Sequence, residues 1–110
     1  MARTRLTPEQ ITVVAERFRA LGEPARLHIM NALRTSERTV SELVELTGLG
    51  TANVSKHLQV LHTAGFVTRR KDGLFVHYGL ADDDVFRLCD LMCGRLEAQA
   101  NGNRRALAGR

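Results

Sequence analysis

At 110 residues, 44% of them hydrophobic, the chain has room for one domain with a modest core. No uninterrupted apolar span of membrane length and no signal-peptide hydrophobic region is present, so the reading is a soluble, cytoplasmic protein with no membrane partner, and its two cysteines read as reduced thiols. The net charge of +4 draws attention to nucleic acid, but Arg3, Arg5, Arg104, Arg105 and Arg110 at the two ends account for the excess and leave the remainder near neutral.

Three regions follow from this distribution: a flexible basic arm over 1–6, a folded domain over 7–98, and a flexible basic tail over 99–110, in which Asn101 onward reads as frayed. The folded part opens at Thr7-Pro8-Glu9-Gln10, where Thr7 can cap, Pro8 suits the first helical position and Gln10 can close a capping box. Ile11, Val14, Ala15, Phe18 and Leu21 give this first helix an apolar side that stops near Gly22. After a very short link, Glu23-Pro24 begins a second helix with Leu27, Met30 and Leu33, ending around Arg34 to Arg38.

Thr39-Val40-Ser41-Glu42 is a second capping box, and the short helix it opens ends at Thr47-Gly48. A new helix then starts, with Val54, Leu58 and Leu61 at helical spacing and therefore one buried side. Its other positions, Thr51, Ala52, Asn53, Ser55, Lys56 and His57, are short, polar or basic, the types that approach base edges and phosphates without steric conflict. Two helices joined by a glycine-containing turn, the second polar at its N-terminus, make the helix-turn-helix signature, although any compact helical hairpin can imitate it.

The next stretch narrows the choice. Phe66-Val67-Thr68-Arg69-Arg70-Lys71 and Leu74-Phe75-Val76-His77-Tyr78 are two β-prone runs around Asp72-Gly73, which predicts a hairpin with a type I′ turn. Arg69, Arg70 and Lys71 stand beside its tip, either on a solvated face or against a phosphate backbone. Helix-turn-helix plus hairpin is a winged helix, so the expected fold is mainly α with a β-hairpin wing: five helices and a two-stranded hairpin. Asp82-Asp83-Asp84 caps the last helix, whose stripe Val85, Leu88, Cys89, Met92, Cys93 and Leu96 is broader than a complete winged helix needs. It is expected to bury against the first helix and against a second copy, making a homodimer through the first and last helices.

From about Val14 to Ala98 the chain resembles the ArsR/SmtB family of dimeric winged-helix repressors. The likeness is carried by Leu21-Gly22-Glu23-Pro24-Ala25-Arg26-Leu27, Val40-Ser41-Glu42-Leu43, Val54-Ser55-Lys56-His57-Leu58-Gln59-Val60-Leu61, Ala64-Gly65-Phe66-Val67, and Arg70-Lys71-Asp72-Gly73 leading to Tyr78. The resemblance implies a homodimer that reads an imperfect palindrome of double-stranded DNA and lets go when an inducer binds. Two metal sites common in such proteins do not carry over. Where an E-L-C-V-C-D run would stand, Glu37-Arg38-Thr39-Val40-Ser41-Glu42 has Thr39 and Ser41 in place of thiols. The last-helix pattern of D-x-H with a later H-x-x-E reads Asp82, Asp84, Arg95 and Ala98 here, and arginine stays protonated.

Cys89 and Cys93 remain, one helical turn apart on the same face. They read either as sensors of a soft metal, arsenite or an oxidant, four thiols meeting across a dimer axis, or as small apolar residues packed in an interface. His28, His57, His62 and His77 show no ligand spacing. Two functions from different classes fit: a DNA-binding transcriptional regulator, or a winged helix used as a protein-interaction module. No phosphate loop, nucleophile elbow or zinc-protease motif points to an enzyme.

Overall fold

The computed structural model describes residues 5–108, with side chains described for 5–102. Residues 1–4 of the expected arm, residues 109–110, and the side chains of Arg104 and Arg105 lie outside the described residues. Five helices and one hairpin follow in order: α1 (Pro8–Leu21), α2 (Pro24–Ala32), α3 (Val40–Thr47), α4 (Thr51–Thr63), β1 (Val67–Asp72), β2 (Phe75–Leu80) and α5 (Asp84–Ala108).

Local chemistry starts the helices. Both capping boxes form: Thr7 Oγ1 accepts from the Gln10 backbone and Gln10 returns the bond to Thr7 N–H at 2.8 Å, and Thr39 and Glu42 repeat the exchange. In the second box the Thr39 backbone N–H, donating to the charged form of Glu42, draws the Glu42 carboxyl below its usual range. Glu23 caps α2 by accepting from the Ala25 and Arg26 amides at 2.8 and 3.3 Å.

The core joins Ile29, Met30 and Leu33 of the α2 region, Leu43 of α3, Val54, Leu58 and Leu61 of α4, Val67 of β1, and Val85 and Phe86 of α5. Ile29, Met30, Leu43, Val54, Leu58 and Leu61 are fully enclosed, and burial of each such side chain contributes about 1.5–3 kcal/mol. Arg34 lies over the Phe86 ring, 4.1 Å from its centroid, and pins the start of α5.

Three expectations are corrected. The second helix stops at Ala32 rather than at Arg34 to Arg38, because Arg38 is drawn into an extended bridge with β2, exchanging both backbone hydrogen bonds with Tyr78 at 2.8 and 2.9 Å. The hairpin pairs Asp72 with Phe75, so its two-residue loop is Gly73-Leu74, with positive φ at Gly73 alone (61°). That pattern belongs to a type II′ turn, not the type I′ turn expected from Asp72-Gly73. The backbone of α5 is helical to Ala108, past Asn101, where fraying was expected.

Outer apolar faces remain uncovered. Of α1, Ala20 is buried, whereas Ile11, Val14 and Phe18 of its apolar side are exposed. Past Val85 and Phe86, α5 exposes Leu88, Leu91, Met92 and Leu96. The chain is correspondingly elongated, 63 × 37 × 23 Å with a radius of gyration of 17.8 Å, against about 13 Å for a compact chain of this length. No described helix is long and apolar enough to cross a membrane.

Candidate nucleic-acid interface

The turn before α4 is built from backbone chemistry. Gly48 ends α3 in the left-handed conformation at φ 75°, and its amide donates to Val44 O at 2.9 Å. Thr47 Oγ1 donates to Leu43 O at 2.6 Å and accepts from Leu49 N at 3.3 Å, fixing the exit of the chain. Gly50 then caps α4 without a side chain, which leaves the first-turn amides of α4 open to an anion.

Burial of Val54, Leu58 and Leu61 decides which side of α4 faces outward. Thr51, Ala52, Asn53, Ser55 and Lys56 are all exposed, as a reading surface requires. His57 is placed differently. Its side chain is only 17% exposed, with Nδ1 3.2 Å from Arg26 Nη1 and Nε2 3.8 Å from Glu23 Oε2. It is held by the first turn of α2 rather than presented with its neighbours.

The wing follows directly. Gly65 at φ 85° turns the chain out of α4, Phe66 N donates back to Leu61 O at 2.9 Å, and β1 packs against α4. Strand alternation separates the three basic residues that the sequence placed together. Arg69 pairs with Tyr78 and its Nε donates to the Tyr78 hydroxyl at 3.3 Å, and Lys71 pairs with Val76. Arg70 points to the opposite face and is clamped to Glu37, with Nε at 3.1 Å and Nη2 at 2.8 Å from Oε1. The Arg70 hydrogen bond holds the Glu37 carboxyl below its usual range and raises Arg70 in turn. A Cβ on Gly79 would lie 3.2 Å from Glu37 Cγ, so glycine makes room for this clamp.

Glu23, Arg26 and Glu37 are thus site residues that sequence reasoning missed. Their contacts with His57 and Arg70 join residues far apart in the chain, and no local pattern marks those contacts. Cys89 is half-buried against the core and Cys93 is exposed. Among the described residues no group of three or more His, Cys, Asp or Glu side chains is arranged to hold a metal ion.

The comparisons with known proteins agree with this geometry. Residues 23–69, from the cap of α2 into the wing, match the family model described as bacterial regulatory protein, arsR family. The crystal structure of Mycobacterium tuberculosis Rv0081 superposes with a TM-score of 0.70 at 33% identity, covering 90% of this chain and 98% of that one. The chain belongs to the ArsR family.

Two further comparisons place this ArsR-family chain among known proteins. The chain is 40% identical over 68 residues to the probable mercury resistance operon repressor of Streptomyces lividans, covering 62% of this chain and 54% of that protein. It is 29% identical, with a TM-score of 0.72, to the homodimeric winged helix-turn-helix DNA-binding domain of Mb0332 from Mycobacterium bovis, a possible ArsR-family transcriptional regulator, covering 88% of this chain and 90% of that one. The chain spans between 54% and 66% of the length of five curated relatives that it matches. The structural neighbours are winged helix-turn-helix domains, and five helices with one two-stranded antiparallel hairpin match the fold expected from sequence.

Proposed function

We propose that this ArsR-family chain is a cytoplasmic, sequence-specific DNA-binding repressor that acts as a homodimer on double-stranded DNA and is released by an inducer. The observation that carries the reading is the run Thr51, Ala52, Asn53, Ser55 and Lys56, exposed on a helix whose opposite side is locked into the core. Thr51, Asn53 and Ser55 approach base edges, Ala52 allows close contact, and Lys56 takes a phosphate. Arg69 and Lys71 extend the contact along the wing, while Arg70 and His57 hold the surface in place.

Dimerisation is supported by the uncovered apolar residues of α1 and α5. Ile11, Val14 and Phe18 on α1 and Leu88, Leu91, Met92 and Leu96 on α5 are large apolar side chains left exposed, which a second copy would cover. A two-fold dimer places two recognition helices about one helical turn of DNA apart. The test is binding by fluorescence anisotropy to a duplex that the protein selects from a random pool, against a scrambled duplex. Equal affinity for the two at moderate salt overturns the reading. A stable complex with another protein and no duplex binding would favour the protein-interaction module.

For the inducer we propose a thiol-reactive agent acting at Cys89 and Cys93. Two thiolates suit a soft metal or metalloid and fall short of the four ligands of a closed zinc site, so a second copy would have to complete the set. The S. lividans relative is named for mercury resistance, which favours a soft ion. A second reading rests on the packing of Cys89 against the core, which suits a purely structural thiol. Release of the selected duplex by zinc, arsenite or a persulfide donor is to be compared in wild type and Cys89→Ser/Cys93→Ser. Loss of release in the double variant supports sensing, and unchanged release leaves the cysteines structural.

A further inference from the structure

We infer that Arg26 is the positioning residue of the recognition helix, acting through His57 to fix α4 relative to α1. The inference rests on the DNA-binding reading above and identifies what holds its reading surface in register.

The guanidinium of Arg26 ties α2 to two other elements, α1 and α4. Arg26 lies in the first turn of α2. Its Nε donates to Ala20 O and its Nη2 donates to Arg19 O at 3.3 Å, both carbonyls of the last turn of α1. Such carbonyls lack the i+4 amide of a continuing helix, Arg19 O keeping only a 3.3 Å bond from Gly22 N, and they carry the negative end of the helix dipole, so a cation belongs there. The remaining arm, Nη1, stands 3.2 Å from His57 Nδ1 in α4.

Donor and acceptor chemistry then fixes the ring. Arginine has donors only, so His57 Nδ1 must accept, and the ring proton sits on Nε2. Nε2 faces Glu23 Oε2 at 3.8 Å. That oxygen is itself immobilised by the Ala25 and Arg26 amides. Guanidinium and carboxylate from one turn of α2 therefore hold the two edges of a single, largely shielded imidazole.

The consequence lies in what apolar packing cannot do. Val54, Leu58 and Leu61 drive α4 onto the core, but burial is non-directional and tolerates small rotation and sliding. Reading base edges needs side chains placed within about 0.5 Å. The Arg26 hydrogen bonds are directional and remove that slack. Their other end is α1, which bears part of the uncovered apolar face. Arg26 thereby transmits the position of the dimer-forming helix to the reading helix, and so sets the spacing of two reading heads on a palindrome.

The test compares wild type, Arg26→Lys, His57→Asn and His57→Leu, using the duplex selected by wild type and a scrambled duplex. Asparagine keeps an acceptor where Nδ1 stands, and leucine does not. Lysine replaces the planar fork with one ammonium and cannot serve all three partners. Arg26→Lys and His57→Leu are expected to lose about tenfold or more in affinity for the selected duplex, with affinity for the scrambled duplex unchanged, and His57→Asn to retain wild-type affinity. Ring ¹⁵N spectra of wild type are expected to show the Nε2–H tautomer of His57. Wild-type affinity in Arg26→Lys, or an Nδ1–H tautomer in wild type, overturns the role. If His57 instead touched bases directly, Arg26→Lys would be silent. A wild type that selects no duplex overturns the DNA-binding reading and this role with it, while the tautomer still decides the Arg26–His57 contact. Should Arg26→Lys fail to fold, the His57→Asn and His57→Leu pair carries the comparison.

Discussion

Arg70 in β1 and Glu37 in the α2–α3 connection are joined by two hydrogen bonds to a single carboxylate oxygen, at 3.1 and 2.8 Å. The clamp ties the wing to the body beside the Arg38–Tyr78 bridge. Because the folded state holds the Glu37 carboxyl below its usual range, its contribution is present above the unfolded value and is lost as pH falls through the folded one. The wing is therefore expected to stay tethered at neutral and mildly acidic pH. An NMR titration of the Glu37 carboxyl is expected to give a midpoint below the usual range in wild type and a return toward it in Arg70→Gln. Unchanged midpoints would remove the clamp from the account.

The same clamp separates Arg70 from its neighbours in DNA binding. Lys71→Ala and Lys56→Ala are each expected to weaken binding to all duplexes alike and to lower the salt slope by about one, the release of one phosphate contact. Arg70→Ala and Glu37→Gln are expected to resemble one another instead, since each frees the wing. Additive effects of the two in a double variant would contradict the pairing.

Asn53 stands exposed in the first turn of α4, where a side-chain amide can pair with a base edge. Asn53→Ala is expected to relax preference at one position of the selected duplex, by about 1–3 kcal/mol, while leaving the salt slope unchanged. Selection from a random pool with the variant protein checks this. A wild-type consensus would remove Asn53 from the reading surface.

Leu91 is 69% exposed and Met92 59% exposed on α5. In a two-fold dimer each substitution occurs twice, so Leu91→Glu is expected to weaken association by about a hundredfold or more, from about 1.5 kcal/mol lost per copy. Sedimentation velocity distinguishes the species. A dimer of unchanged affinity would place the interface elsewhere.

Leu58 and Leu46 give a contrast in stability. Leu58 is fully buried, and Leu46 is 55% exposed on α3. In urea unfolding, Leu58→Ala is expected to cost about 2–5 kcal/mol and Leu46→Ala no more than about 0.5 kcal/mol.

The sequence by itself determined whatever depends on neighbours within a turn or a strand. The capping boxes at Thr7 and Thr39, the buried stripe Val54, Leu58 and Leu61, and the glycine stop at Gly48 are local bonds or local periodicities, written in the spacing of a few residues. The exposed face with Thr51, Asn53, Ser55 and Lys56 was legible for the same reason, since fixing one face of a helix fixes the other. Tertiary structure alone decided the roles of His57 and Arg70. Each is met by a partner 31 or 33 residues away, and whether two long side chains meet depends on how helices and strands pack, not on their distance in sequence. The turn at Gly73-Leu74 was decided in the same way: with Arg38 bridging Tyr78, β2 is held from both sides and Asp72 is drawn into the ladder as the partner of Phe75. A loop one residue earlier, at Asp72-Gly73, would shift each β1 partner by two and set Arg70 opposite Phe75; the observed register sets it opposite His77, where it meets Glu37, while strand alternation leaves Arg69 and Lys71 on the other side.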